Sequence, residues 1–149
     1  MEAEPFLLVS TISVIVAQRL VRKICPPGEK YFLTNAEIEK LKESVDLDKV
    51  LDVLKEENIV DKKVEWEKVP FYKTKETAGC EDGYSGRIGI HEILGMSSAI
   101  KELIMKGATT EDIENQAKKE GMLTMIEDGI FKAAQGLTTI EEVLRVVSE

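Results

Sequence analysis

Gly83-Tyr84-Ser85-Gly86-Arg87-Ile88-Gly89-Ile90-His91-Glu92-Ile93-Leu94 decides the fold class. Gly79, Gly83 and Gly86 punctuate a turn-rich loop. Ile88, Ile90, Ile93 and Leu94 then indicate a strand from about Arg87 to Leu94. Downstream the pattern is helical. Ser97 or Ser98 caps a helix ending at Gly107, and Thr109 or Thr110 caps another ending at Gly121. A third runs from about Leu123 to Gly136, and Thr138 with Glu141 forms a capping box for the last helix. Upstream, Val64-Glu65-Trp66-Glu67 alternates like a strand, and Pro70 marks an edge strand or its end. Asp48 to Glu57 reads as a short helix presenting Leu51 and Leu54. Thr34-Asn35-Ala36-Glu37 is a capping box opening a helix with Ile38 and Leu41 inward. The sum is an α+β chain, mainly α-helical.

Cys25-Pro26-Pro27-Gly28 separates these elements from the first segment, because consecutive prolines remove amide donors and push the preceding residues out of helical geometry. Pro5 suits a first helical turn, with Glu2 and Glu4 beside its N-terminus, and Leu8, Ile12, Ile15 and Ile24 follow among the apolar positions. A buried helix is the preferred reading. Ser10, Thr11 and the β-branched Ile12, Val14, Ile15 and Val16 keep a strand open, since periodicity does not separate the two for a short buried run. Either element needs a covering partner, and if the rest of the chain does not supply one, the partner is a domain absent here. The run Phe6 to Val16 lacks the basic flank of a signal peptide and the roughly 20 apolar residues of a membrane span.

The composition fits a folded chain, with 43% hydrophobic and 32% charged residues among 149. A net charge of −8 argues against nucleic acid as a partner. Arg19, Arg22 and Lys23 form a local basic cluster, either a seam toward another subunit or a solvated helix end. Two distant cysteines do not make a secreted disulfide framework, so a cytosolic protein with reduced thiols is expected. His91, the only histidine, has no nucleophile or paired acid recognisably arranged with it and reads as a hydrogen-bonded structural residue. No catalytic or cofactor-binding residue is assigned. Arg19 and Arg87 are candidates to bridge a carboxylate or phosphate of a neighbouring protomer, against the alternative of an internal salt bridge.

Three pieces in order carry a resemblance: Val16-Ala17-Gln18-Arg19-Leu20-Val21-Arg22-Lys23-Ile24-Cys25, then Cys80 with Gly83 to Glu92, then Thr139-Ile140-Glu141-Glu142-Val143-Leu144-Arg145. Together they resemble the end of the type IV pilus assembly and type II secretion ATPases, the PilB and GspE type, over nearly the whole chain. The resemblance implies that residues 1–24 are the terminal helix of a RecA-like motor core. It makes residues 25–86 a metal-binding insertion, and residues 87–149 a core edge strand followed by a C-terminal helical cap. The implied function is that of the C-terminal fragment of a hexameric motor ATPase, serving structure, subunit contact and coupling.

Its implied partners are its own catalytic core, neighbouring protomers and an inner-membrane platform protein. The implied location is the cytoplasm, peripheral to the inner membrane. Gln18, Arg19 and Arg87, with Ile100, Lys101, Leu103 and Ile104 of a helical motif resembling one in the pilus-retraction ATPases, become possible inter-subunit or coupling residues. By spacing alone Ile100, Leu103 and Ile104 form an apolar helix face suited to core packing.

The family insertion holds zinc on two Cys-x-x-Cys pairs. Here both are halved, Cys25-Pro26-Pro27-Gly28 and Cys80-Glu81-Asp82-Gly83, so zinc is not expected and two small buried thiols are. The resemblance also implies that Cys25 and Cys80 lie close together, within reach of a disulfide under oxidation, with Ile38, Leu41, Leu51, Leu54 and Trp66 closing the insertion in place of an ion. Two other classes stay open: a stand-alone acidic cytosolic interaction module, and a small metal or thiol protein. ATP and magnesium belong to the parent motor. The chain lacks a Gly-x-x-x-x-Gly-Lys-Ser/Thr phosphate loop and an apolar strand ending in metal-holding acids. The purified chain is therefore expected to release phosphate from ATP no faster than background. Turnover that persists through purification and disappears in Arg19→Ala or Arg87→Ala would contradict this.

Overall fold

The computed structural model describes residues 4–148 and contains seven α-helices and two two-stranded sheets among them, a mixed α+β fold. The acidic Glu2 expected beside the first helix lies outside the described residues. Two compact units divide the chain, one from residues up to 17 with 91–124 and one from 18–90 with 125–149.

The first unit contains α1 (Pro5–Thr11), the start of β1 (Val14–Ile24), the end of β4 (Tyr84–Gly95), α4 (Ser98–Met105) and α5 (Thr110–Lys119). Strand β1 corrects the preferred helical reading. Pro5 does start a helix, but Ile12 leaves helical geometry and β1 begins at Val14. Ser10 donates its hydroxyl to the Leu7 carbonyl, and Thr11 does the same, giving the last turn local partners of its own. The β-branched Val14-Ile15-Val16 then favours extended backbone. Met96 donates its amide to the Ser13 carbonyl, 3.0 Å. As expected, Ser97 caps α4 and Thr109 caps α5; Thr109 also closes a capping box with Asp112. Ile100 is fully buried.

The second unit holds the rest of β1 and β4, an antiparallel pair β2 (Glu29–Phe32) and β3 (Pro70–Lys73), and the helices α2 (Asn35–Lys42), α3 (Leu47–Glu56), α6 (Met125–Ala134) and α7 (Ile140–Ser148). The expected alternating strand at 64–67 is displaced. Trp66–Lys68 forms a 3-10 turn instead, and the strand is Pro70–Lys73, whose Phe71 pairs with Tyr31. The reason is tertiary. Trp66 has to turn inward, where its indole donates to the Leu47 carbonyl at 3.1 Å and stacks on Phe71 with centroids 6.3 Å apart.

Thr34 caps α2 in the expected box. Ile38, Leu41, Leu51, Leu54 and Trp66 close one core as anticipated, and Ile130, Ala133, Ala134 and Ile140 of the last two helices belong to that same core. A smaller cluster joins Val21, Ile90 and Val146. The cap of α7 shifts by one residue: the Thr139 hydroxyl accepts from the Glu142 amide at 3.1 Å, freeing Thr138 to donate to the Arg22 carbonyl at 2.8 Å. Strands β1 and β4 pair with each other, each passing through both units.

Helices α6 and α7 approach closely at Gly129, where a Cβ would overlap the Val143 side chain. Alanine at this helical position gains about 1 kcal/mol of propensity, against an overpacking cost of about 1–3 kcal/mol. Val143 is fully buried and has nowhere to retreat, so the cost prevails. Gly129→Ala is expected to lower the melting temperature by several degrees in a thermal denaturation, and Gly129→Val to prevent folding.

Candidate functional site: an arginine cleft around a buried glutamate

Arg19 and Arg22 on β1, Arg87 on β4, and Glu142 and Arg145 on α7 line one cleft of about 560 Å³ in the second unit. Glu142 sits in the first turn of α7, where the amide-rich helix end favours a carboxylate. Its side chain is only 1% exposed. Arg22 grips it from β1, with Nε donating at 3.0 Å, Nη2 at 2.8 Å and the backbone amide at 3.1 Å. From its own helix, Arg145 adds donations at 2.8 and 3.2 Å. Two forked guanidiniums thus satisfy the carboxylate that burial removes from water.

The Arg22 hydrogen bonds hold the Glu142 carboxyl at about 2, with Arg145 assisting and burial opposing. The same hydrogen bond raises the Arg22 pKa further above its ordinary value. Arg22 also lies 4.1 Å above the Tyr84 ring and 3.9 Å from the exposed Asp82 carboxylate. The Tyr84 hydroxyl meets that of Thr139 at 3.0 Å.

Arg19 donates to the Val146 carbonyl near the end of α7. Arg87 stands exposed on the same cleft. Four arginines and one glutamate line the cleft, which makes its lining positive in a chain of net charge −8. Of the two readings of Arg19, the intramolecular one describes its observed partner, although that partner is a carbonyl and not an acid. Gln18 is exposed on β1. Ile100, Lys101, Leu103 and Ile104 lie on α4 of the other unit, with Ile100 buried and the other three partly so. His91 is half-buried on β4.

Sequence reasoning missed Glu142, Arg145 and the role of Arg22. The i,i+3 pair on an amphipathic last helix was a signal for the first two. Nothing in the sequence announced a partner 120 residues away.

Cys25 and Cys80 are joined as a disulfide, with Cα atoms 6.6 Å apart. Their expected proximity is met, and the expected reduced thiols are corrected. The pair falls inside the range a disulfide spans, and the Cys25 amide, donating to the Gly83 carbonyl at 2.9 Å, ties the two loops together at that point. A four-thiolate ion does not fit these residues. In the two-pair clamp that the resemblance implies, Gly28 and Gly83 would hold the places of the other two thiolates. A Cβ at Gly83 would lie 2.5 Å from Thr74 Cβ, and φ there is +71°. At Gly28 a Cβ would lie 3.2 Å from Ile24, Tyr72 and the Lys73 carbonyl.

The Type II/IV secretion system protein family model matches residues 1–145. Type II secretion system protein E of Xanthomonas campestris is 39% identical over 150 aligned positions, covering 100% of this chain and 24% of that protein. Type IV pilus assembly ATPase PilB of Myxococcus xanthus is 32% identical, over 97% of this chain and 23% of that protein. Type II secretion system ATPase E of Vibrio cholerae is 33% identical, over 100% and 26%. This chain belongs to the Type II/IV secretion system protein family. It spans about a quarter of the length of these relatives.

Because the folded-state value of Glu142 is depressed from 4.5 to about 2, its contribution to stability is complete above about pH 4.5 and is lost as pH falls toward 2. Glu142→Gln is expected to destabilise the protein at neutral pH by about 1–3 kcal/mol, the range for a hydrogen bond to a charged group. It should also flatten the acid limb of the stability profile between pH 4.5 and 2. Urea titrations across that window measure both effects, and a variant whose acid limb matches the wild type would contradict the assignment.

Proposed function

We propose that this chain is the C-terminal part of a hexameric motor ATPase of type IV pilus assembly or type II secretion, and that it serves structure, subunit contact and coupling, not hydrolysis. Strand β1 carries the reading. Val14, Ile15 and Val16 are 51%, 46% and 54% exposed. Successive strand residues face opposite sides, so the strand is bare on both faces. Continuous apolar runs of this kind belong to strands covered on both sides, as in the sheets of α/β motor cores. A two-stranded sheet is also too small to stand alone in water. Phe6, Leu7 and Ile93 extend the uncovered apolar surface of the first unit. A RecA-like core, carrying the phosphate loop and holding ATP and magnesium, is the partner that this surface fits.

In the same reading the insertion is a degenerate form of the family's metal-binding one. The arginine cleft then offers Arg19 and Arg87 to a carboxylate or phosphate of a neighbouring protomer. Gln18 belongs with them, while Ile100, Lys101, Leu103 and Ile104 on α4 couple core motion to the cap. The assembled motor works in the cytoplasm against a platform protein of the inner membrane. No helix among the described residues is long and apolar enough to cross a membrane.

The test is a single polypeptide in which this chain replaces the matching last quarter of a family ATPase. The chimera is expected to form rings and hydrolyse ATP. Val14→Asp with Val16→Asp should abolish ring formation while changing the melting temperature of the isolated chain by less than a few degrees. A chimera that assembles equally well with both aspartates would overturn the reading.

A further inference from the structure

The bridge between Cys25 and Cys80 occupies the place of the family's metal clamp, and the surrounding residues are shaped for two sulfurs, not four. Thr74 fills the space that a side chain at Gly83 would need, and Ile24, Tyr72 and Lys73 crowd Gly28. The bridge also has a position in the site. It ties the loop of Cys80 to the end of β1, three residues beyond Arg22. On one side of it Arg22 holds Glu142, and on the other Tyr84 lies under Arg22 and meets Thr139. Reinforcing bonds run from Cys25 to Gly83, from Ile24 to the Leu137 carbonyl at 3.1 Å, and from Thr138 to Arg22. Cys80, 7% exposed, lines an open cleft of about 450 Å³ with Gly79, Glu81, Asp82 and Tyr84, the side from which a small thiol would approach.

We propose that Cys25–Cys80 is a reversible thiol–disulfide clasp, exchanging with low-molecular-weight thiols, that replaces the metal clamp and sets Arg22 and Tyr84 at the arginine cleft. In reduction, the thiolate of a small thiol attacks Cys80 Sγ, breaks the S–S bond and expels the Cys25 thiolate, which takes a proton from water. A second small thiolate attacks the small-thiol sulfur of the mixed disulfide and releases Cys80 as a thiolate, which is protonated in turn. Two small thiols leave as one disulfide, and the protein gains two electrons and two protons. Oxidation is the reverse, with the small disulfide as oxidant. Glu81 and Asp82 rim the approach and favour an uncharged thiol over an anionic one. The thiol exchange rests on the chain's own geometry, and the replacement of a metal clamp rests on the family reading of the two cysteine loops.

The experiment equilibrates the full chain in mixtures of 2-mercaptoethanol and its disulfide, an uncharged couple. Free thiols are counted by mass after alkylation, the Arg22 Nε–H signal is followed by NMR, and melting is recorded at each poise. Full interconversion is expected. Reduction should move the Arg22 signal, speed amide exchange at Cys25 and Gly83, and lower the melting temperature by roughly 5–15 °C for a loop of this length. The Trp66 indole signal, held in the insertion core, should stay in place. Cys25→Ala with Cys80→Ala should give the reduced-state Arg22 signal at every poise. If that variant does not fold, reduction of the wild type carries the test alone. An Arg22 signal and melting temperature indifferent to reduction would overturn the clasp, as would thiols that stay reduced in an excess of 2-mercaptoethanol disulfide. One zinc bound per reduced chain, by elemental analysis, would overturn its replacement of the metal.

Discussion

Glu142 is buried and ionised, and that combination governs the second unit. A carboxylate removed from water is tolerable only with donors on nearly every lone pair. Arg22 and Arg145 supply them through their guanidiniums, together with the backbone amide of Arg22. The requirement ties β1 to α7 across 120 residues and orients Arg22 over Tyr84. The remaining arginines of the cleft are arranged around this knot. Loss of one partner would leave a charge without compensation, so the fold holds these elements in register as a set.

Apolar packing fixes what the knot does not. Residues 25–86 have no core separate from the last two helices: Leu47, Leu54, Trp66 and Phe71 share one cluster with Ile130, Ala133 and Ile140. Shape complementarity is local and strict at Gly129, where α6 lies against Val143 with no room for a methyl group. Residues 25–86 are closed by buried hydrocarbon and one sulfur bridge. Burial of this many apolar side chains is the larger contribution, since each is worth roughly 1.5–3 kcal/mol against a disulfide's 2–4.

The local signals in the sequence were accurate where structure is set by neighbours in the chain. Thr34, Ser97 and Thr109 cap the helices that their spacing indicated, and Ile88 and Ile90 lie on a strand. They failed where distant residues compete. The segment 64–67 alternates like a strand, yet Trp66 turns it into a 3-10 turn because its indole finds Leu47 and Phe71. Thr138 has the spacing of a cap, but Arg22 offers its hydroxyl a carbonyl and Thr139 takes over the capping.

By itself, the sequence determined the α+β class, most helix boundaries, the family, and the degeneracy of the two cysteine pairs. These follow from short-range hydrogen bonding, from backbone preference, and from motifs whose order along the chain is written in one dimension. Only the tertiary structure decided that residues 14–24 form a strand with Val14, Ile15 and Val16 uncovered, that Cys25 and Cys80 are bonded as a disulfide, and that Arg22 joins Arg145 on Glu142. Each of these depends on residues 55 to 120 positions apart, or on a surface left uncovered. Chain spacing carries no record of which distant groups will share a cleft. Burial, which makes a lone carboxylate costly and an apolar strand adhesive, exists only once the chain has folded.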